Sequence, residues 1–351
     1  MASKRGKSIL AGLLCFPASF VVLWWNEGRA VERETSLEEV QEKTVTVASG
    51  SVSAANDGKP VHTTGDSATS ETLADPVFGV SLQAIKLRRE VEMYQWEEDD
   101  DDKRVSYRKR WSSSAIDSSD FKEPATHPNP KEWKVKAETW QVQEVRVGAF
   151  RLSKNLIDRL GGWVTLDPPQ QPPAGFQRSG SYLTTSADSG NPQVGDLRVE
   201  LQAIKSGPVS VVAKQSGSQL EDVQTRAGSP VGLIYSGTLT APEVFERAFL
   251  ENTIMTWILR LVGVVMMLIG LLTLFTPITY AMNYVPFFGG LVNAGILLFS
   301  LLTALSLSLL TIAIAWLFYR PLLGGALLAG AIGLIVLLKV VAKSRQPQPA
   351  V

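Results

Sequence analysis

Few residues of this chain combine the types and the spacing that chemistry requires, and the densest candidate is the acidic run at residues 97–102. Clustered carboxylates are the hard oxygen ligands that Ca²⁺ prefers, but this run lacks the alternating spacing and the central glycine of a calcium loop. The bases that follow, within residues 103–110, neutralise the run locally. We therefore predict a solvent-exposed hairpin tip, with no metal site and no nucleic-acid partner.

The residues that usually act as nucleophiles, general bases or metal ligands are sparse and isolated. His62 and His127 have no partners at metal-ligand spacing, and the single thiol, Cys15, lies in an apolar stretch. Residues 6–8, Gly-Lys-Ser, match the end of a phosphate-binding loop but lack its upstream glycine and strand. Because no Gly-x-Ser-x-Gly element occurs either, the sequence predicts a non-enzymatic protein without catalytic residues, cofactor or metal.

The charges are divided sharply along the chain. All 34 Asp and Glu residues lie between Glu27 and Glu251, whereas 8 of the 34 Lys and Arg residues lie outside that interval. The interval therefore holds 26 bases against 34 acids and carries −8, while the two flanks together carry +8. Acid-free flanks rich in Leu, Ile, Val and Gly are typical of membrane-spanning segments.

Four apolar stretches are long enough to cross a bilayer at about 1.5 Å per residue. They cover residues 8–25, 254–276, 288–318 and 321–341. The first has the basic start of a secretion signal, but it ends in Trp24-Trp25 without a small-residue cleavage site, so we interpret it as an uncleaved anchor. The sequence thus predicts a multi-pass α-helical membrane protein with four spans and a large β-rich α+β extracytoplasmic domain.

The distribution of bases predicts an orientation. Three bases precede the first stretch and three lie at or just after the end of the fourth, so both termini, residues 1–7 and 342–351, are expected in the cytoplasm. The domain at residues 26–253 then lies on the opposite side, in a bacterial periplasm or in the lumen of the endoplasmic reticulum and inner nuclear membrane. The connector at residues 277–287 is uncharged and favours neither side.

Within the large domain, alternation of apolar and polar residues predicts strands. The clearest strand runs from residue 82 to 96, and a second at residues 105–111 completes a predicted hairpin. In the first strand, Ile85, Leu87 and Met93 are expected to face the core. Further strands are expected at residues 44–53, 135–147, 195–204, 209–214 and 231–237.

A repeated pentapeptide divides the large domain. The sequence Leu-Gln-Ala-Ile-Lys occurs at residues 82–86 and again at residues 201–205, and each copy follows an X-Pro pair and a glycine. This repetition indicates an internal duplication with possible halves at residues 26–130 and 131–253.

Few helices are expected in the large domain. Residues 36–39 have the spacing of a capping box, and Ser153 is placed to cap a short helix that ends near residue 160. A helix from residue 241 to 250 should lead directly into the second span. In the fourth span, small residues recur four positions apart, which favours close helix packing. These residues are Gly325, Ala329, Gly330 and Gly333.

Several blocks of the sequence resemble the transmembrane protein 43 (LUMA) family, from the first span to the fourth. The residues that carry the resemblance are Asn26, Glu27, Gly28, Arg29, Lys86, Arg88, Arg89, Glu92, Tyr94, Trp96, Gly195, Asp196, Arg198, Tyr319, Arg320 and Pro321. The block from residue 86 to 96 is the longest and contains rare residue types, which makes the resemblance specific.

The resemblance implies an architecture and a class of function. The family is similar in plan, with four spans and one large lumenal domain between the first and the second. Animal members resemble organisers of membrane-protein complexes, are linked to emerin and lamins, and self-associate, and no catalytic residues carry over. The short cytoplasmic start and shorter large domain of this chain indicate a bacterial member, for which only the scaffold architecture would transfer.

Three hypotheses of function follow. The leading one is a non-enzymatic membrane scaffold that engages itself or other membrane proteins through its large domain. The alternative is a lipid-binding or lipid-handling module, because tryptophans at residues 24, 25 and 257 flank the domain at the headgroup level. The third is a narrow oligomeric ion channel lined by Asn293 and the Ser and Thr residues of the third span. The expected partners are membrane lipids, further copies of this chain and other membrane proteins.

Overall fold

The computed structural model describes residues 2–101, 104–282, 288–322, 325–326, 329–330 and 333. The chain divides into two compact units. The helical unit comprises Met1–Gln41, Gln224–Ser229 and Phe245–Val351, and the strand-rich unit comprises Glu42–Val223 and Pro230–Val244. The α-helices are α1 (Ala2–Lys43), α2 (Lys154–Arg159), α3 (Ala241–Met282) and α4 (Phe288–Tyr319).

Apolar side chains of α1, α3 and α4 form the core of the helical unit. Leu23, Met267 and Ala304 are completely buried in it. Small residues allow the helix backbones to approach closely. A Cβ added at Gly263 would stand 2.5 Å from Cδ2 of Leu23, and one added at Gly270 would stand 2.7 Å from the Cβ of Phe16.

The expected architecture with four spans is wrong. Among the described residues, two helical segments are long and apolar enough to cross a membrane, Ala241–Thr279 and Gly290–Tyr319. The stretch at residues 8–25 is not a separate element, because α1 continues past it through a charged segment to Lys43. The predicted fourth span at residues 321–341 lies mostly outside the described residues.

The two candidate spans have the surface that lipid requires. Most of their residues are exposed, and large apolar side chains such as Leu261, Leu309 and Phe318 are each more than 60% exposed. Contiguous apolar surface of this kind is rarely left in water. The prediction that a helix from residue 241 leads directly into a span is confirmed, since α3 is continuous.

The strand-rich unit contains sixteen strands within the described residues. They are β1 (Val45–Thr46), β2 (Pro60–Ala68), β3 (Leu73–Asp75), β4 (Val80–Leu82), β5 (Lys86–Asp101), β6 (Arg104–Ser112), β7 (Glu138–Gln141), β8 (Arg146–Val147), β9 (Phe150–Leu152), β10 (Val164–Thr165), β11 (Gln177–Ser179), β12 (Tyr182–Thr184), β13 (Leu197–Ile204), β14 (Gly207–Ser216), β15 (Gln219–Glu221) and β16 (Leu233–Ser236). Most are short, and β5 is the longest.

Two seven-stranded sheets contain fourteen of these strands, and β3 pairs with β4 in a separate two-stranded sheet. The first has the order β1-β2-β8-β9-β15-β14-β16, and an additional β2–β14 pairing closes a ring of strands. The second has the order β11-β12-β13-β5-β6, with β10 on β13 and β7 on β5. In the second sheet β13 runs antiparallel to β5, from Leu197 opposite Met93 to Ile204 opposite Lys86.

The sheets bury two clusters of apolar side chains. Phe150, Leu156 and Ile157 belong to the larger cluster, which joins residues of both sheets to α2. Met93 and Leu197 belong to the smaller cluster, on the second sheet. Both clusters use the alternate residues of each strand, as a pleated sheet with one buried face requires.

The strongest sequence patterns in this unit are confirmed. Ile85, Leu87 and Met93 are at most 2% exposed, and β5 and β6 form the predicted hairpin from Met93 opposite Ser112 to Asp101 opposite Arg104. The two copies of the repeated pentapeptide lie side by side, since the amide of Ile85 donates to the carbonyl of Ile204 over 2.8 Å. Whether the repetition reflects a duplication stays a prediction.

The predicted helix start at residues 36–39 is wrong. These residues lie inside α1, which runs on to Lys43. The Ser36 hydroxyl lies 2.8 Å from the hydroxyl of Thr225 and does not cap a helix. A capping box is a local pattern, and the same residues are tolerated inside a helix when the side chain finds another partner.

Burial of His62 should make the stability of the strand-rich unit depend on pH. The ring is 3% exposed, its Nε2 lies 3.0 Å from the carbonyl of Leu239, and burial lowers the pKa of His62 although that hydrogen bond opposes the shift. As the pH falls below about 6.5, the unfolded chain therefore binds the proton first and stability is lost. We expect the melting temperature of the full chain in detergent to fall between pH 7 and pH 5.

The substitution His62→Gln should remove this part of the pH dependence. His127→Gln, which leaves His62 in place, is the matched control and should retain it. Identical slopes for the wild type and His62→Gln would contradict the assignment.

Candidate functional site

Three helices direct polar side chains at one buried carboxylate in the helical unit. Glu27 on α1 is 3% exposed, and Arg260 on α3 binds it through two hydrogen bonds, Nε to Oε1 at 2.7 Å and Nη2 to Oε2 at 2.8 Å. The indole nitrogen of Trp316 on α4 donates to Oε2 over 2.8 Å. We name these three residues the Glu27 cluster. Bidentate pairing to a guanidinium is the geometry in which a buried carboxylate is best compensated.

A second set of hydrogen bonds connects α1 with α3 one turn away. Asn26 donates to the carbonyl of Thr256 over 3.0 Å, and Arg29 donates to Oδ1 of Asn252 over 3.0 Å and to Oγ1 of Thr256 over 2.9 Å. The amide of Asn252 returns a bond to the carbonyl of Ala30. Residues 252, 256 and 260 are four apart, so α3 presents them on one face.

The first and last sequence blocks of the family resemblance meet here. A Cβ added at Gly28 would stand 2.7 Å from Cζ of Tyr319, so glycine is what permits the close approach of α1 and α4. The ring of Trp24 lies 5.7 Å from that of Tyr319. Just after α4, Arg320 pairs with Glu34. Trp24 and Gly28 thus pack against Tyr319, which lies nearly 300 positions later in the sequence.

A cavity of about 460 Å³ opens beside the Glu27 cluster, between α1, α3 and α4. Its polar lining includes three carboxylates, two guanidinium groups and two indoles. They belong to Glu27, Glu34, Glu38, Arg260, Arg320, Trp257 and Trp316. The guanidinium carbon of Arg260 lies 4.7 Å from the ring centroid of Trp257 and 5.7 Å from that of Trp316.

The second sequence block forms a buried ion pair in the strand-rich unit. Arg89, which points toward the apolar side of β5, is 4% exposed and pairs with Asp75 at 2.6 Å and with Glu138 at 3.0 Å. Its guanidinium also lies 5.3 Å from the ring centroid of Trp140. These contacts link β3, β5 and β7 through a single side chain.

The opposite face of β5 carries a ladder of charged and aromatic groups. Arg88 donates to Gln202 over 3.1 Å and lies 4.4 Å from the ring centroid of Trp163. Glu92 accepts from Nε of Arg198 over 2.9 Å. Cross-strand pairs of this kind stabilise the β5–β13 register.

The remaining residues of these blocks have structural roles. Lys86 is buried and donates to the carbonyl oxygens of Asp158 and Leu160 at the end of α2, and burial lowers its pKa. Gly195 has a φ of +97°, and its amide donates to the carbonyl of Tyr94 over 2.9 Å.

Trp96 and Asp196, which also belong to these sequence blocks, have structural roles as well. The amide of Trp96 donates to Oδ1 of Asn129 over 2.7 Å, and the ring of Trp96 lies 4.6 Å from that of His127. The carboxylate of Asp196 accepts from the amide of Gln193 over 2.7 Å. The structure thus uses both residues to fix local backbone conformation.

The acidic run is neutralised by neighbouring bases, as the sequence predicts. Glu97 pairs with Arg108 and Arg110 at 2.8 Å each, and Asp100 pairs with Lys122. Among the described residues, no group of three His, Cys, Asp or Glu side chains could hold a metal ion.

The central residues of the Glu27 cluster were missed by sequence reasoning. Arg260 lies within the second predicted span, where its side chain is 15% exposed and bound to Glu27. The available signal was a complementary pair of charges: one base stands in the otherwise uncharged apolar stretch at residues 254–276, and one acid stands at the end of another apolar stretch. Lone intramembrane charges usually find each other.

The predicted packing of small residues in the fourth span stays a prediction. Gly325, Ala329, Gly330 and Gly333 are described, but most of their neighbours are not. Among the described atoms, none lies within 4 Å of a Cβ added at the three glycines.

Breaking the buried ion pair should destabilise the helical unit strongly. Glu27→Ala or Arg260→Ala leaves an unpaired buried charge, which should lower the free energy of unfolding by about 3–5 kcal/mol. The double variant Glu27→Leu with Arg260→Met removes both charges and should recover part of that loss. Unfolding of the full chain in detergent measures each change.

The exposed pair of Lys154 and Asp158 in α2 provides the control. Lys154→Ala should leave the unfolding midpoint nearly unchanged, because exposed ion pairs contribute little. Similar small effects of Lys154→Ala and Arg260→Ala would contradict the structural role of the Glu27 cluster.

Comparison with known proteins identifies the family. The family model described as Transmembrane protein 43 matches residues 93–321. The proteins of that name from Pongo abelii and Homo sapiens are each 37% identical over 371 residues, covering 98% of this chain and 92% of theirs. The homolog from Drosophila melanogaster is 31% identical over 352 residues, covering 92% of each chain. No solved structure matches the chain. With this much of its length matched, the chain belongs to the Transmembrane protein 43 family of membrane proteins.

Proposed function

We propose that this protein is a non-enzymatic membrane scaffold. Its helical unit anchors the chain in the bilayer, and its strand-rich unit engages further copies of the chain or other membrane proteins. The Glu27 cluster is the observation that carries this proposal. Both oxygens of the Glu27 carboxylate accept hydrogen bonds from other helices, so the group fixes geometry and is not available as a general base.

The strand-rich unit is built in the same way. Arg89 joins three strands through Asp75 and Glu138, and Arg198 joins β13 to β5 through Glu92. Side chains held by several partners make a rigid platform. A rigid platform favours recognition of a partner surface, because little conformational freedom is lost on binding.

The edge strand β6 is the part of this platform best suited to a partner. It stands at the end of the strand order of the second sheet. An edge strand presents unpaired backbone groups to which another strand can add.

The same proposal includes an orientation. The strand-rich unit lies outside the cytoplasm, because the acids are confined between Glu27 and Glu251, whereas the bases of residues 1–7 precede the apolar part of α1 and favour the cytoplasmic side. The compartment is the periplasm for a bacterial source and the lumen of the endoplasmic reticulum or inner nuclear membrane for a eukaryotic one.

The two other hypotheses differ in their support. Lipid binding is favoured by one observation, the cavity beside the Glu27 cluster. The channel has less support, because Ser300 and Ser308 are buried in the helical unit and Ser308 donates to the sulfur of Met267.

Self-association should be detectable with two differently tagged copies of the full chain. When both are expressed in the same cells and extracted in mild detergent, capture of one tag should recover the other. Mixing membranes from cells that express each copy alone is the control for association after extraction. If mass measurement shows a strict monomer and no other protein co-purifies, the scaffold proposal is contradicted.

Cysteine labelling tests the orientation. In a Cys15→Ser background, Ser51→Cys in an exposed loop of the strand-rich unit should react with an impermeant maleimide from the extracytoplasmic side. Ser3→Cys should react only after the membrane is opened. Labelling of both positions from the same side would overturn the orientation.

A further inference from the structure

The cavity beside the Glu27 cluster lies where the helices of this unit change from polar to apolar. In α1 the charged segment begins at Glu27, in α3 Arg260 is the last charged residue, and Arg320 follows the apolar length of α4. Helices of a membrane protein change composition in this way at the level of the lipid headgroups. The cavity is therefore placed at headgroup level.

The lining of the cavity carries one more carboxylate than it has bases. Glu27 pairs with Arg260, and Glu34 pairs with Arg320. Glu38 is exposed on the cavity wall, and no ion pair neutralises it within the part of the chain that the structure describes. Arg29 is hydrogen-bonded to Asn252 and Thr256, which also line the cavity, so the site as a whole presents both signs in equal number. Such a site suits a zwitterionic group better than a purely anionic one.

An aromatic ring lines the same cavity. Trp257 lines the cavity and is 64% exposed, and its ring already attracts the guanidinium of Arg260 at 4.7 Å. An indole with nearby carboxylates is the combination that recognises alkylammonium groups. The cavity volume of about 460 Å³ lies within the range of about 300–1,000 Å³ that small-molecule sites occupy.

The surroundings favour a lipid as the source of the ammonium group. Ile258 and Leu261, on α3 beside Trp257 and Arg260, are at least 50% exposed and provide apolar surface for acyl chains. The Arg320 side chain is about one-third exposed and pairs with Glu34 through Nη2, so its guanidinium has further N–H donors for a phosphate.

From these features we propose that the cavity binds the headgroup of a zwitterionic phospholipid, phosphatidylcholine or phosphatidylethanolamine. The ammonium lies against Glu38 and Trp257, the phosphate lies toward Arg320, and the acyl chains follow the apolar surface of α3. The site selects zwitterionic over anionic lipids. This inference stands independently of the scaffold proposal, since it concerns the helical unit and not the partner of the strand-rich unit.

Native mass spectrometry of the full chain from a maltoside detergent tests this site. Titration with phosphatidylcholine, phosphatidylethanolamine and phosphatidylglycerol of matched acyl chains should show one retained zwitterionic lipid and at least about five-fold weaker retention of the anionic lipid. Equal or tighter binding of phosphatidylglycerol would overturn the proposal.

Two pairs of variants locate the binding. Glu38→Gln and Trp257→Ala should each weaken retention of phosphatidylcholine by about two- to five-fold or more. Glu246→Gln and Trp25→Ala change exposed residues of the same helices outside the cavity and should leave retention unchanged. Equal effects within either pair would assign the lipid to the general apolar surface and refute the site.

A soluble headgroup distinguishes lipid from free amine. Glycerophosphocholine should compete only weakly, because it lacks the acyl chains that contact α3. Competition as strong as that of the intact lipid would refute a lipid site. Unchanged melting of Glu38→Gln verifies that lost binding does not reflect lost folding, and Glu38→Asp, which keeps the charge, should restore part of the binding.

Discussion

The ion pair between Glu27 and Arg260 is the interaction on which the helical unit depends. A carboxylate and a guanidinium cost several kcal/mol each to remove from water, and only close, multiply hydrogen-bonded geometry offsets that cost. Trp316 supplies the remaining donor to Glu27. Because each of the three residues lies on a different helix, satisfying the charge determines how α1, α3 and α4 are placed relative to each other.

In the strand-rich unit, too, a buried charge must be paired for the fold to form. Arg89 occupies a position on β5 where alternation calls for an apolar side chain, and Asp75, Glu138 and two aromatic rings compensate it. A buried charge of this type specifies one arrangement of strands, because any other register would leave it unpaired. The resemblance blocks thus mark residues that hold the structure together, which explains why they contain charged residues without forming a catalytic group.

Sequence reasoning succeeded where one local period decides the structure. The apolar lengths of α3 and α4 and the alternation of β5 depend on neighbouring residues, and all three were predicted. The course of α1 beyond residue 25 was not, because helix α1 passes through a charged segment whose stability comes from contacts with distant residues such as Asn252 and Thr256. The partner of Arg260 is 233 positions away, and no periodicity connects the two. The cavity beside the Glu27 cluster is formed by the same three helices, so the sequence alone did not predict it either.

The pairing of β5 with β13 has a consequence for biosynthesis. Arg88 and its partner Gln202 are 114 residues apart, so the ribosome must complete more than a hundred further residues before the inner edge of β5 can be covered. At about 5–20 residues per second this interval lasts about 6–23 seconds. During that time β5 can pair with β6 in the hairpin, but the edge that later pairs with β13 stays open. A chaperone that shields this open side would be most useful before residue 204 emerges.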